Sequence, residues 1–516
     1  MNTITISDVI QRGNRIDYIY QIDGAWQSYF CREQPFFVEY SQNIEAVPKS
    51  LAVIPLVGNL IVMASLMDAR IYLEEIDRDF YECIPEFLSG YASLSPQVTF
   101  QKEGRIIPQR IVESPRDSVC REDLLFFSGG IDAWSSLVTH LEEKPALLSI
   151  WGADIAWDNQ AAWEKTRKLN QDVAQHFALP FLTIRANLHT FRYESRLNEF
   201  SYPLVSDNWW SAFQHSVGMM SLAAPLGAGK CKNLWFGSTY CSRDREEWGS
   251  YVTASDPKID NHVRFGGCQV CHDGYEFSRL EKTERICRYF RGSGYTPFLR
   301  CCYLSTSGEN CGTCEKCANT IMGILLAGYD PRDYGFPYDE ETFPGYFAAG
   351  VQEMAKEEKY ALLSFYWYLQ QAYRQKYKLE QVPPVLRAFY LTDLEILADF
   401  LHVPCNKCTA HKASLEYLEE VVIGKRWLEN QYNLLSKDNA ELRDWCAKLE
   451  DGKRWLEEQY HYAQEQASQA RTQYQSAVEQ VALLEAQCRS YQEKEAASAS
   501  DQRKKGGLLS KIAARF

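Results

Sequence analysis

An apolar run, Leu124 to Phe127, gives way to the turn Ser128-Gly129-Gly130-Ile131-Asp132 and then to a helix-period pattern from Ala133 to Leu141. The same switch from strand to helix period recurs down the chain. Pro145 to Trp151 reads as a second buried strand, Gln160 to Phe177 as an amphipathic helix and Phe181 to Ala186 as a third strand. A helix from Trp209 to about Leu226 and a fourth strand, Asn233 to Phe236, follow, ending in Gly237-Ser238. Strands alternating with helices of this length predict an α/β fold with a parallel, doubly wound sheet. In such sheets a ligand lies beyond the carboxyl ends of the strands, so the glycine turn, Gly237 and Ser238 are expected to line one crevice.

The flanking patterns differ. Residues 1–118 alternate at Arg15 to Ile22 and Phe36 to Tyr40 and turn helical from Asp77 to Tyr91, which predicts a separate α+β domain. The longest apolar run, Leu51 to Met67, is broken by Pro55, Gly58 and Asn59 and reads as buried strand or helix rather than a membrane span. Residues 119–340 form the α/β domain with its cysteines, and 341–412 show Tyr, Trp and Leu at helical spacing, a helical subdomain. Across 413–498, Leu428, Leu435, Leu442, Leu449 and Leu456 recur every seven residues, continued by Ala463, Ala470, Ala477 and Leu484. That is a coiled-coil seam, and the polar Asn439 within it favours two strands, hence a homodimer or a partner protein. The tail, 499–516, puts Leu508, Leu509, Ile512 and Phe516 on one face beside basic groups, suited to weak contact with an anionic membrane surface.

Composition narrows the picture. With 516 residues, 46% of them hydrophobic, the chain can fill more than one core. A net charge of -13 argues against broad nucleic-acid binding.

The turn at 128–132 carries the first chemistry. Two glycines let backbone approach an anion, and the helix start behind them offers unpaired N–H groups and a positive dipole end. A carboxylate there, Asp132, would repel phosphate unless a divalent cation bridges them, which implies a nucleotide with magnesium. No Gly-Lys-Ser/Thr follows, and the glycines are adjacent, so neither the Walker nor the dinucleotide pattern is present. Sulfur carries the second chemistry: Cys302, Cys311, Cys314 and Cys317 have the spacing of a tetrahedral zinc site. Cys301 competes with Cys302 as fourth ligand, Cys302 being preferred, and disulfides or an iron–sulfur cluster are rival uses. An odd total of 17 cysteines and no secretory signal point to a reducing cytoplasm. Two weaker groups are His402, Cys405, Cys408 and His411, and Cys268, Cys271 and His272.

The turn resembles the Ser-Gly-Gly-x-Asp-Ser turn of the N-type ATP pyrophosphatases, the PP-loop family, with Ala133 in place of the last hydroxyl and Ser135 and Ser136 one turn on. Combined with the Cys-x8-Cys-x2-Cys-x2-Cys run, residues 120–330 resemble the 7-cyano-7-deazaguanine synthases. The resemblance implies that Ser128, Gly129, Gly130, Ile131 and Asp132 bind ATP phosphates and Mg2+. It further implies that Lys282, in Leu280-Glu281-Lys282-Thr283, neutralises transferring phosphate, and that the cysteines hold structural Zn2+. A solvated helix charge is the other reading of Lys282. Where those synthases carry a substrate motif, this chain has Tyr240 to Trp248, whose Arg243 and Arg245 are candidate carboxylate anchors. The implied activity is adenylation of a carboxylate or carbonyl oxygen with release of pyrophosphate, then attack by ammonia or another amine. The alternative is a nucleotide-binding sensor or scaffold working through its coiled coil in a defence or envelope-assembly system.

Overall fold

The computed structural model describes residues 2–391 except 104, 115–121, 206, 244–252, 303–304 and 344–368, and beyond 391 only 453–455, 457, 458 and 461. The described strands are β1 (Asn2–Arg12), β2 (Arg15–Asp23), β3 (Phe37–Tyr40), β4 (Ala69–Asp77), β5 (Ile106–Val112), β6 (Glu122–Phe126), β7 (Ala146–Trp151), β8 (Phe181–Ala186), β9 (Cys231–Gly237), β10 (Arg264–Phe265) and β11 (Cys268–Asp273). They form one eleven-stranded sheet in the order β10-β11-β9-β6-β7-β8-β3-β2-β1-β4-β5.

Within it, β11, β9, β6, β7 and β8 are mutually parallel. Counted from β6 along the chain, their spatial order is 3-2-1-4-5 from β8 to β11. The strand order therefore reverses beside β6, so the glycine turn that follows β6 opens at the crevice where such sheets take ligands. The third strand matches the range expected from the pattern, the second begins one residue later, and the fourth is longer by two residues at its start and one at its end. The helix expected from 209 to about 226 is instead broken into a π-helical turn (Trp210–Gln214), a helix (His215–Met220), a 3-10 turn (Ser221–Ala223) and a short helix (Ala224–Gly227). Pro225, lacking an N–H, cannot continue the ladder.

The amino-terminal region is not a separate domain. β3 pairs antiparallel with β8, Val38 opposite Ala186 and Tyr40 opposite Ile184, so one sheet and one compact unit span residues 1–392. The pairing removes what would otherwise be an open sheet edge at β8. Polar ties reinforce it: Asn59 Nδ2 donates to Gly218 O at 3.0 Å, and Tyr40 and Tyr91 hydroxyls donate to Leu222 O and Phe213 O at 3.0 Å. The run Leu51 to Met67 supplies the helix Ile54–Leu66, buried on almost every side, as a run without polar face requires. No described helix is long and apolar enough to cross a membrane.

Of the expected helical subdomain, 369–376 and Pro384–Leu391 are described and helical. Lys376 and Tyr377 there bond Glu284. The six described residues of 393–516 are helical. The leucine row as a whole, the tail and the His402–His411 group lie outside the described residues.

Candidate functional site

Burial of Ile131 and Trp134 fixes the helix α1 (Ile131–His140) behind the turn. Trp134 is ringed by Phe127, Phe177, Phe290 and Tyr295, and its Nε1 donates to Phe298 O at 3.1 Å. The carbonyl entering the turn, Phe127 O, accepts from Ser149 Oγ at 2.6 Å and Asn170 Nδ2 at 3.1 Å. Gly129 sits at φ +80°, and an added Cβ would lie 3.0 Å from Asn170 Oδ1. Gly130 is the N-cap of α1 and no side chain caps it, so the first-turn amides point outward beside the exposed Ser128. Ile131 is fully buried. Ser135 and Ser136 are buried along α1.

A second helix, α2 (Arg279–Phe290), brings cations to the turn. Its start is fixed by a capping box in which Ser278 and Glu281 satisfy each other's backbone N–H groups. Arg279 and Lys282, three residues apart and so on one face, both reach Asp132: Arg279 Nη1 lies 3.3 Å from Oδ2 and Lys282 Nζ 3.4 Å from Oδ1. Lys282 is 1% exposed and also donates to Ser238 O, which excludes the solvated-charge reading. Both contacts to Asp132 are long for charge-assisted hydrogen bonds, so the carboxylate retains acceptor capacity. Arg243 pairs with Glu281, and Arg245 lies outside the described residues.

Gly237 and Ser238 also come to the turn, in supporting roles. A Cβ at Gly237 would fall 2.8 Å from Asp132 O, so the missing side chain lets α1 seat on the end of β9. The Ser238 hydroxyl is used on Tyr240 O, and its N–H on Asp273 O at 2.8 Å. Next to it, His140 Nε2 meets Asp273 Oδ1 at 3.0 Å. Burial pushes the imidazole pKa down, but the bond and charge of Asp273 outweigh it and leave it raised.

The four predicted sulfurs, Cys302, Cys311, Cys314 and Cys317, lie within 4.8 Å of one another and could hold an ion such as zinc. Backbone N–H groups of Thr313, Cys314 and Ser305 point at Cys311 and Cys302 sulfurs at 3.2–3.4 Å, the kind of donor that stabilises thiolate. Cys301 is turned away, its thiol donating to Lys316 O and accepting from Thr320, which decides the fourth position for Cys302. Cys268 and Cys271 do not converge with His272. Cys268 faces Cys231 across the sheet in a disulfide, while Cys271 faces Asn233.

The two sites touch. Arg300 N–H donates to Gly129 O at 2.8 Å, and the next two amides, Cys301 and Cys302, donate to Asn310 Oδ1 at 3.1 and 3.3 Å. Sequence reading missed Arg279, Arg300 and Asp273. Only Arg279 carried a signal, its spacing of three from Lys282. No protein-family model, no curated protein and no solved structure matches this chain.

Proposed function

We propose that this chain is a PP-loop ATP pyrophosphatase that adenylates a carboxylate or carbonyl oxygen and passes the activated group to ammonia or another amine. The observation that carries the reading is the meeting of an uncapped helix start, the Gly129-Gly130 turn and the buried Lys282 at the reversal of strand order. Outward amides and a water-poor cation stabilise charge growing on a leaving pyrophosphate, the contribution that usually dominates such transfers. The acceptor oxygen attacks the α-phosphorus, the α–β bridging bond breaks and pyrophosphate departs. The amine nitrogen then attacks the activated carbon, and AMP leaves with the oxygen.

Asp132 is the one carboxylate on the turn, and with phosphate oxygens and water it suits magnesium, which keeps much of its hydration. When bound, that ion neutralises phosphate charge. The four cysteines would hold a structural zinc as thiolates. Ala133 favours a second reading, since a turn lacking the last hydroxyl suits a nucleotide-binding sensor that recruits partners through the coiled coil.

ATP–pyrophosphate exchange with a panel of carboxylic acids separates these readings. Acid-dependent exchange, lost in Asp132→Ala, is expected. ATP binding without exchange selects the sensor, and no ATP binding at millimolar concentration overturns both.

A further inference from the structure

We infer that Arg300 is a polyphosphate-binding residue and that the loop leading into the cysteine cluster forms one wall of the nucleotide site. The inference rests on the nucleotide reading above and deepens it.

Arg300 is 5% exposed, and its Nε and Nη2 have no hydrogen-bond partner. A guanidinium removed from water with unmet N–H groups is costly, and proteins keep one where a ligand completes it. Its placement names the ligand. The residue begins against the turn, Arg300 N–H on Gly129 O, with its Cβ 3.6 Å from where a Gly129 Cβ would stand. Its charge is also felt by Asp154, just past the carboxyl end of β7. The first-turn amides of α1 open at the same turn.

Unmet donors, rather than a surplus of charge, point to an anion. Around the turn stand Arg279, Lys282, Arg300 and Lys316, against Asp132, Asp154, Asp273 and Glu315. Asp132 is already shared by Arg279 and Lys282, and Asp154 sits among the charges of Lys316, Arg300, His215 and His189. The guanidinium of Arg300 keeps Nε and Nη2 unmet beside these carboxylates, and that edge matches two oxygens of a phosphate bidentately. Pyrophosphate, product and part of ATP, is the multivalent anion that the amides at the helix start, Lys282 and Arg300 suit together.

Calorimetry of the full chain with pyrophosphate and with ATP tests this. Arg300→Met, which keeps the stem, is expected to weaken both by about 30-fold or more, and Arg300→Lys, which loses the fork, by about 5-fold or more. Zinc content and melting transition report whether each variant folds. Unchanged affinity in a folded variant overturns the inference and leaves the nucleotide reading standing; no binding by the unaltered protein sinks the nucleotide reading itself. Crystals of the unaltered protein soaked with pyrophosphate give a variant-free answer. A phosphate oxygen about 3 Å from the guanidinium is expected, and one beyond about 4 Å overturns it.

Discussion

Two carboxylates on opposite faces of the sheet are treated in opposite ways. Asp260 is fully buried and closed in by its own protein: Ser216 donates to Oδ1, while Ser255 Oγ at 2.8 Å and His272 Nδ1 at 2.7 Å meet Oδ2. Only a lone ring nitrogen, His272 Nε2, is left over. Asp132 keeps 21% of its side chain exposed, and its two cations stand off at 3.3 and 3.4 Å. Around it donors remain unused, on Arg279 Nε, on Arg300 and on the start of α1. A network that satisfies itself stabilises the fold, and one with surplus donors is built for something that arrives later.

The four-cysteine cluster is the extreme of the second kind, so the largest effect is expected there. Purified protein should carry about one zinc per chain, and stripping it should cost several kcal/mol of stability, as for other structural zinc sites. Cys314→Ser should lose the ion and Cys301→Ser keep it, read by elemental analysis. Because Cys302 is two residues from Arg300, the stripped protein should also bind pyrophosphate more weakly than the loaded one. Equal metal content in both serine variants would break the assignment of Cys302.

Next come the two aspartates themselves. Asp132→Ala should reduce ATP–pyrophosphate exchange by about 100-fold or more, yet destabilise the fold less than Asp260→Ala does, because its carboxylate is partly exposed and its cations stand off. Asp260→Ala should do the reverse, costing about 3 kcal/mol by leaving two hydroxyls and an imidazole buried without their acceptor. Urea unfolding of both variants, with exchange assays beside it, checks the pair. Similar destabilisation by the two would erase the contrast.

How much of this was legible follows from how local each feature is. The glycine turn, β7, β8 and Cys302 to Cys317 announce themselves because period, turn chemistry and ligand spacing act within a few residues. The junction of β3 with β8 joins residues about 145 positions apart, and nothing in a four-residue strand names its partner. The segment Cys268 to Asp273 looked like a metal candidate because its sulfurs and imidazole hid a strand, one that extends the sheet and brings Asp273 to His140. Arg300 stood before two cysteines as an ordinary arginine. What sets it apart, a buried guanidinium whose Nε and Nη2 have no hydrogen-bond partner, is visible only in the fold.

Gly129 sharpens the contrast on the backbone side. At φ +80°, with Asn170 Oδ1 3.0 Å from the position of an added Cβ, Gly129→Ala should cost about 1–2 kcal/mol in thermal or urea unfolding. The same change at Gly13, also in the left-handed region but in open space, should cost less, near the 1 kcal/mol expected of backbone strain alone. Equal costs would mean that the turn is not held by Asn170.

The smallest effect is expected where the two kinds of network meet. His140 and Asp273 are paired like Asp260 and His272, yet Asp273 also feels Lys282 of the candidate site. Since the folded imidazole pKa is raised above its unfolded value, about 6.5, the pair's stabilisation is complete below that pH and lost as pH rises through the folded value. For Asp273 burial raises the pKa, but the bond and charge of His140 and the charge of Lys282 prevail and lower it. Its contribution is therefore lost only as pH falls below the ordinary carboxylate range, well outside the window of the imidazole. Urea midpoints of the unaltered protein and His140→Gln, compared from pH 6 to pH 8.5, should converge as pH rises, because the variant lacks the proton that the pair retains. Parallel curves would show that the imidazole is neutral in the fold and that this contact is a plain hydrogen bond of the self-satisfied kind.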